Sequence, residues 1–310
     1  MFKSIASDIN REFRQGNMVT RLILINIAVF IFVNILWIIF NSINAGEPSP
    51  TYRAILHGLS ISSDWWHNIT HPWTPVTSMF LHEGFWHILW NMLYLYWFGR
   101  IIGDFIGDNK IFPLYLLGGL AGGLAFFTVS NFLPMFTADA YFAMGASGAV
   151  MAIVMASGVL APDYQLRLLL IGSVKLKYVV AFILLMDLFF IANNVNTGGH
   201  FAHLGGAAFG WYFIHSLRHG SDLAKPINQA TDRFLDWLYN RKRKKRPKFQ
   251  TVRGGKVAAH QQGSSPSKPQ RSADLQAQVD QILDKIRESG YDSLTEEEKE
   301  ILFQASKEDS

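Results

Sequence analysis

The chain has 310 residues, of which 49% are hydrophobic and 17% charged, with 28 Lys and Arg against 24 Asp and Glu for a net charge of +4. The apolar residues gather in runs too long to be the faces of soluble amphipathic helices, so a bilayer is the expected solvent. There is no cysteine, which excludes from this chain a disulfide framework, a thiolate nucleophile and a Cys-ligated zinc; any nucleophile must be an oxygen.

Residues 1–18 read as a cytoplasmic segment. The apolar run from Val19 to Phe40 is roughly twice the length of a signal-peptide core and lacks a small-residue cleavage pattern after it, so it reads as a retained span and the mature protein is expected to start near Met1. A hydrocarbon core of about 30 Å needs roughly 20 mostly apolar residues per helix. Six windows approach that standard, at about 19–41, 85–107, 111–131, 145–162, 169–191 and 200–217, the fourth and sixth being short. The expected fold is therefore all-α, a six-helix polytopic membrane bundle over residues 19–218. Its long first loop, 42–84, carries Trp65, Trp66 and Trp73 and suits the membrane interface.

Lys and Arg fall in alternate connections. Lys3, Arg11, Arg14 and Arg21 flank the first window, Arg100 and Lys110 the second link, Arg167, Lys175 and Lys177 the fourth, and Arg218 the end of the sixth, whereas Arg53 stands by itself in the others. This bias predicts both termini in the cytoplasm of a multi-pass plasma-membrane protein. The second, fourth and sixth windows then all begin at the outer face and run inward.

Beyond the sixth window, residues 219–247 combine Phe234, Leu235, Trp237 and Leu238 with the basic run Arg241–Arg246, a pairing expected of a segment against anionic lipids; nucleic acid is not an expected partner. Residues 248–272, rich in Gly, Ser, Pro and Gln, read as a linker. In 273–310, Leu275, Val279, Ile282 and Ile286 recur at helical spacing, Gly290 stops the helix, and Thr295 with Glu298 predicts a capping box opening a second helix of a small hairpin. Such a hairpin buries little core alone.

Ionisable and polar residues inside spans are expensive, so each is a functional candidate. The second window opens His82-Glu-Gly-Phe-Trp-His87-Ile-Leu-Trp-Asn91, the fourth Gly145-Ala-Ser147-Gly148, and the sixth Gly199-His200-Phe-Ala-His203-Leu-Gly-Gly206, with Gly210 one turn on. Three spans of one direction thus bring polar groups to one depth. His87 and Asn91, four apart, lie about 6 Å apart along one helix face and can stabilise an anion together, or each can simply cross-link helices. Ser147 near a helix N-terminus is either an N-cap or a nucleophile favoured by the free N–H groups there. As a nucleophile it needs a base, for which His203 is the best candidate. Gly206 and Gly210 form a small-xxx-small face that lets the sixth span press against the fourth. His82 and His200, at the edge, suit supporting roles, and the paired glycines 118, 119, 122 and 123 suit packing.

A metal centre is not expected. His82-Glu83 begins like a zinc-peptidase motif, but the second histidine stands at i+5, about 140° around the helix rather than 40°. An aspartyl dyad needs two intramembrane carboxylates, and Asp187 in the fifth window is a single one with no evident role.

The order and spacing His82-x4-His87-x3-Asn91, Gly145-x-Ser147-Gly148 and Ala202-His203-x2-Gly206-x3-Gly210 resemble the rhomboid family of intramembrane serine proteases over roughly residues 20–217. The resemblance implies that Ser147 is the nucleophile and His203 the base in a dyad without a third carboxylate, needing no cofactor. It also implies an oxyanion site of His87, Asn91 and the Ser147 backbone N–H beside a bend at Gly145, and transmembrane proteins as substrates. Two positions depart from the family's pattern: Thr74 follows Trp73 where the family has Arg, and Met151 stands where an aromatic residue often packs on the histidine. An inactive rhomboid-like protein that binds membrane helices without cutting them is the alternative reading, and a channel or transporter, which would show repeated halves, a third.

Overall fold

The computed structural model describes residues 16–134, 136, 140–168, 172–193, 196–240, 278–282, 284–286 and 293–308. The chain divides into two compact units, Met1–Lys244 and Lys245–Ser310. The expected cytoplasmic residues 1–15, the basic run Arg241–Arg246, the linker 248–272 and the helix stop at Gly290 lie outside the described residues.

The first unit is mostly helical. Helix α1 (Met18–Ile43) opens on Asn17, whose side chain accepts from the Thr20 N–H at 3.0 Å. The loop that follows is built from short pieces: α2 (Pro50–His57), β1 (Ile61–Ser62), α3 (Trp65–Thr70), α4 (Thr74–Thr77) and a 3₁₀ turn, Ser78–Phe80. Then come α5 (Phe85–Ile106), α6 (Ile111–Phe132), β2 (Phe142–Ala143), α7 (Ser147–Leu160), a β-hairpin of β3 (Gln165–Leu168) and β4 (Gly172–Lys175), α8 (Leu176–Ala192), α9 (Thr197–Arg218) and α10 (Ala224–Asn240).

Six helices fall where the six windows are, and the fifth window is corrected. Residues 172–175 within it are strand rather than helix: β3 pairs antiparallel with β4, Leu168 opposite Gly172, and α8 begins only at Leu176. Gly172 has φ +85°, a conformation glycine adopts freely. The apolar run thus includes a strand that periodicity cannot separate from a helix. By length and composition, two segments among the described residues, Met18–Ile43 and Asp108–Phe132, are apolar and long enough to cross a membrane. Helices α5 and α9, at 22 residues each, span about 33 Å, but the polar side chains near their N-termini dilute their hydropathy. Helix α7 has 14 residues, about 21 Å.

The core lies where α7, α6 and α9 meet. Helix α7 is surrounded, with Ala149, Val150, Ala152, Ile153 and Val154 all buried. Glycine makes this possible. A Cβ at Gly206 would collide with the backbone carbonyl of Gly148, one at Gly210 with that of Ala152, and one at Gly122 would come within 2.7 Å of Ala202 O and 3.2 Å of Gly148 Cα. By contrast α1 and α8 turn large apolar side chains outward, among them Phe32, Trp37, Phe182 and Leu185.

Polar contacts tie the ends together. Tyr115, fully buried, donates to Met79 O at 2.9 Å and accepts from Asn26 at 3.3 Å, linking α6, the first loop and α1. At the ends remote from Ser147, Asp108 accepts from the Met18 N–H, Lys110 pairs with Asp222 at 2.5 Å, and the Arg218 guanidinium donates to Val159 O at the close of α7 at 2.7 Å.

In the second unit α11 (Glu296–Glu308) begins with a reciprocal cap: the Thr295 N–H donates to Glu298 Oε2 at 2.7 Å and the Glu298 N–H to Thr295 Oγ1 at 3.3 Å. Lys285, in the preceding helical stretch, pairs with Glu298 at 2.8 Å and holds its carboxyl below the usual range.

Because the atoms that a Gly210 side chain would meet are backbone, Gly210→Val is expected to lower unfolding stability by about 1–3 kcal/mol or to prevent folding. Gly103→Ala, whose methyl meets only Ile111 Cδ1 at 3.4 Å, is expected to stay within about 0.5 kcal/mol of wild type. Thermal unfolding of both variants in one detergent checks the pair.

Candidate active site

The N-terminal ends of α5, α7 and α9, with the middle of α8, surround an open cavity of about 1260 Å³. Ser147, His203, His87, Asn91 and Met151 all line it. The site residues expected from three separate segments are therefore brought to one place. Between Ser147 Oγ and His203 no hydrogen bond is present among the described residues; such bonds tighten in many enzymes only when substrate is bound.

Ser147 is the first residue of α7 and follows a sharp bend. Gly145 has φ +139°, a region L side chains rarely adopt, and a Cβ there would lie 2.9 Å from the His87 ring and 3.5 Å from Ser147 Oγ. His87 and the serine hydroxyl therefore flank the same small space. The bend is held from behind, as the Gly145 N–H donates to Ser78 O at 2.8 Å and the Ala146 N–H reaches His82 Nε2 at 3.5 Å. His82 thus takes a supporting place rather than a cavity-lining one.

Asn91 is buried, and one of its amide hydrogens goes to His87 O at 2.8 Å within α5. The second is left for the cavity. Gly148, Gly206 and Gly210 do not line the main cavity; they form the contact that sets its width.

The first loop is fastened although Thr74 stands beside Trp73. The Trp73 indole donates to Gly58 O at 2.8 Å, the buried Thr74 hydroxyl to His71 O at 2.9 Å, and Thr77 Oγ1 to Leu59 O at 2.7 Å. Strand β1 then pairs with β2, Ile61 opposite Ala143, so the loop reaches the segment that leads into Ser147.

The residue that sequence reasoning left without a role is Asp187. It is buried in α8, and its Oδ1 accepts from His203 Nδ1 at 2.7 Å and from His200 Nδ1 at 2.5 Å. The His200 ring meets His203 edge-on, and Phe190 stacks on His200 at 5.3 Å. Met151, buried on α7, lines the same cavity. The available signal was a single carboxylate inside an apolar run, which is tolerated only when paired; the pairing itself crosses two helices.

These three side chains are also the one His and carboxylate group among the described residues close enough to suggest a metal centre. Their spacing argues for hydrogen bonds. Two ligands of one tetrahedral zinc at about 2.0–2.2 Å stand roughly 3.3 Å apart, wider than the 2.5 and 2.7 Å separations here.

Residues 69–219 match the family described as the Rhomboid domain, and residues 270–308 match a family of unknown function. The chain belongs to the rhomboid family. It is 26% identical over 185 residues to "Rhomboid protease GluP" of Bacillus subtilis, covering 58% of this chain and 33% of that protein. It is 33% identical over 146 residues to "RHOMBOID-like protein 12, mitochondrial" of Arabidopsis thaliana, covering 44% and 43%, and 29% identical over 150 residues to "Rhomboid protein 1, mitochondrial" of Saccharomyces cerevisiae, covering 46% and 42%. This rhomboid-family chain thus spans between a third and under half of the length of the relatives it matches. The rhomboid match contains every residue that lines the cavity, including Asp187.

Burial pushes the His82 imidazole, which precedes α5, down to about 4, with the nearby His87 adding to the effect. A group whose folded pKa is depressed binds its proton more weakly folded than unfolded, so folding stability is full above about pH 6.5 and is lost as pH falls toward 4. This site is expected to cost up to about 3 kcal/mol across that window. Unfolding midpoints at pH 7 and pH 4.5 for wild type and His82→Gln should show a smaller acid loss in the variant.

Proposed function

We propose that this chain is an intramembrane serine endopeptidase that hydrolyses peptide bonds in or near transmembrane helices of other proteins. The observation that carries the reading is the convergence of Ser147, His203, His87 and Asn91 on one cavity, with the Gly145 bend between the serine and His87.

Ser147 Oγ attacks the substrate carbonyl carbon while its proton passes to His203 Nε2. The resulting oxyanion is held by His87, the remaining Asn91 amide hydrogen and the Ser147 backbone N–H at the positive end of α7. Collapse breaks the C–N bond, and His203 gives the proton to the leaving amine. Water, activated by the same histidine, then hydrolyses the Ser147 ester and restores both side chains. The cavity supplies room for that water, and its wall of Trp86, Trp90, Phe126 and Phe182 suits an apolar substrate segment. A substrate helix must unwind locally before its carbonyl is reachable, so a small residue and a helix-weakening stretch at the cut lower the cost.

In this reading α1, α5, α6, α7, α8 and α9 are six transmembrane helices, embedded through the exposed apolar side chains of α1 and α8. Both termini lie on the cytoplasmic side of the plasma membrane. The placement of Lys110, Arg218, Lys175 and Lys177 away from the cavity-lining ends supports the orientation. The basic run Arg241–Arg246 then meets anionic lipid headgroups.

The alternative is a rhomboid-like protein that binds membrane helices without cutting them. Purified wild type and Ser147→Ala, compared on a fluorescent transmembrane-peptide substrate with a chelator present, separate the two. Wild type is expected to cleave and the variant to lose at least about 10³-fold in rate. Equal cleavage by both would remove Ser147 from the chemistry. Binding of the peptide without cleavage by wild type, across several substrates, would favour the alternative.

A further inference from the structure

A carboxylate buried in an apolar helix is tolerated only when bonded. Asp187 is 5% exposed, and its bonds are uneven: both histidines share Oδ1, while Oδ2 is buried without a protein partner. A brace serving helix packing alone gains nothing from that asymmetry. A carboxylate oxygen accepts and never donates when ionised. Both imidazoles therefore carry their proton on Nδ1 in the neutral state, which leaves Nε2 of each as a bare acceptor. For His203, that is the nitrogen a base must offer.

We infer that Asp187 is a positioning residue for His203, completing a Ser147–His203–Asp187 relay in place of a two-residue dyad. The inference rests on the serine-protease reading of the same cavity. Asp187 holds the Nδ1–H, so the ring cannot rotate or switch to the tautomer in which Nε2 is protonated and useless as a base. When the Ser147 proton moves to Nε2, the positive charge on the ring forms 2.7 Å from a buried carboxylate, where the attraction is stronger than between exposed charges. Asp187 stays ionised throughout; the proton returns from Nε2 to the leaving amine. His200, locked under Phe190, keeps the carboxylate from turning away.

The relay has a different origin from the orientation that an aromatic residue at position 151 would give. Met151 offers no planar face against which an imidazole can stack, whereas the Asp187 bond fixes both ring angle and tautomer. This chain thus keeps a defined histidine with a flexible thioether on α7.

The test compares wild type, Ser147→Ala, Asp187→Asn and Asp187→Ala in the full chain, by peptide cleavage and by the rate at which a fluorophosphonate labels Ser147. Asp187→Asn is expected to lower kcat by 10²-fold or more, with KM within about threefold of wild type and the labelling rate falling in parallel. Formate, a small carboxylate able to enter the cavity, is expected to restore part of the Asp187→Ala rate and none of the Ser147→Ala rate. Wild-type rates in Asp187→Asn overturn the inference and leave the protease reading intact, whereas failure of wild type to cleave or label overturns that reading first. A loss in both Asp187 variants that formate does not relieve assigns Asp187 to packing. Nitrogen-15 NMR of the wild-type histidines needs no variant: a His203 proton found on Nε2 in place of Nδ1 refutes the relay even if every Asp187 variant misfolds.

Discussion

The backbones of α7 and α9 touch, and most of the cavity's geometry depends on that contact. Gly206 lies against the Gly148 carbonyl and Gly210 against that of Ala152, with Gly122 of α6 closing the third side at Ala202. Helices normally stand 8–10 Å apart because side chains intervene; here none does. Such close packing maximises dispersion contact between the two backbones, and under the proposed membrane placement it is the main attraction available. Ser147 is one residue from this contact and His203 less than one turn from it. Two rigid helices locked at those points leave the serine and the histidine little freedom to drift, so the packing glycines fix the position of both side chains without lining the cavity.

The third helix is tied in by a different device. Helix α5 carries His87 and Asn91, and the segment before it supplies the Ser78 carbonyl and the His82 ring, which accept from the Gly145 and Ala146 N–H groups and hold the bend. The positive φ of Gly145 and the nearness of the His87 ring exclude a side chain there. The loop from residue 42 to 84 is thus more than a tether: the bonds of Trp73, Thr74 and Thr77 hold it together, and pairing of β1 with β2 fastens it to the segment leading into Ser147. Threonine at position 74 forgoes a charged anchor and uses backbone carbonyls instead.

Much of this was legible along the chain. Apolar runs marked the positions of α1, α5, α6, α7, α8 and α9, because a buried run satisfies its backbone amides most readily within a helix. The i, i+4 pair of His87 and Asn91, the glycines around Ser147 and the Gly206–Gly210 face were readable for a related reason: each works through spacing within one helix, and helical spacing is visible in sequence. The pairing of residues 165–168 with 172–175 was not legible, since a short run of this kind reads the same in a strand as in a helix.

Asp187 marks the limit most clearly. Sequence determined that one carboxylate would sit in an apolar run, and that His200 and His203 would lie three residues apart on another helix. It did not determine that they would meet. A partner on a separate helix depends on the rotation and depth of both helices, and those are set by the glycine contacts of α9 with α7 and by where the β-hairpin lets α8 begin. Only the tertiary structure decided that the Asp187 carboxylate faces two imidazole N–H groups, because periodicity records which residues share a face and nothing of which face meets which.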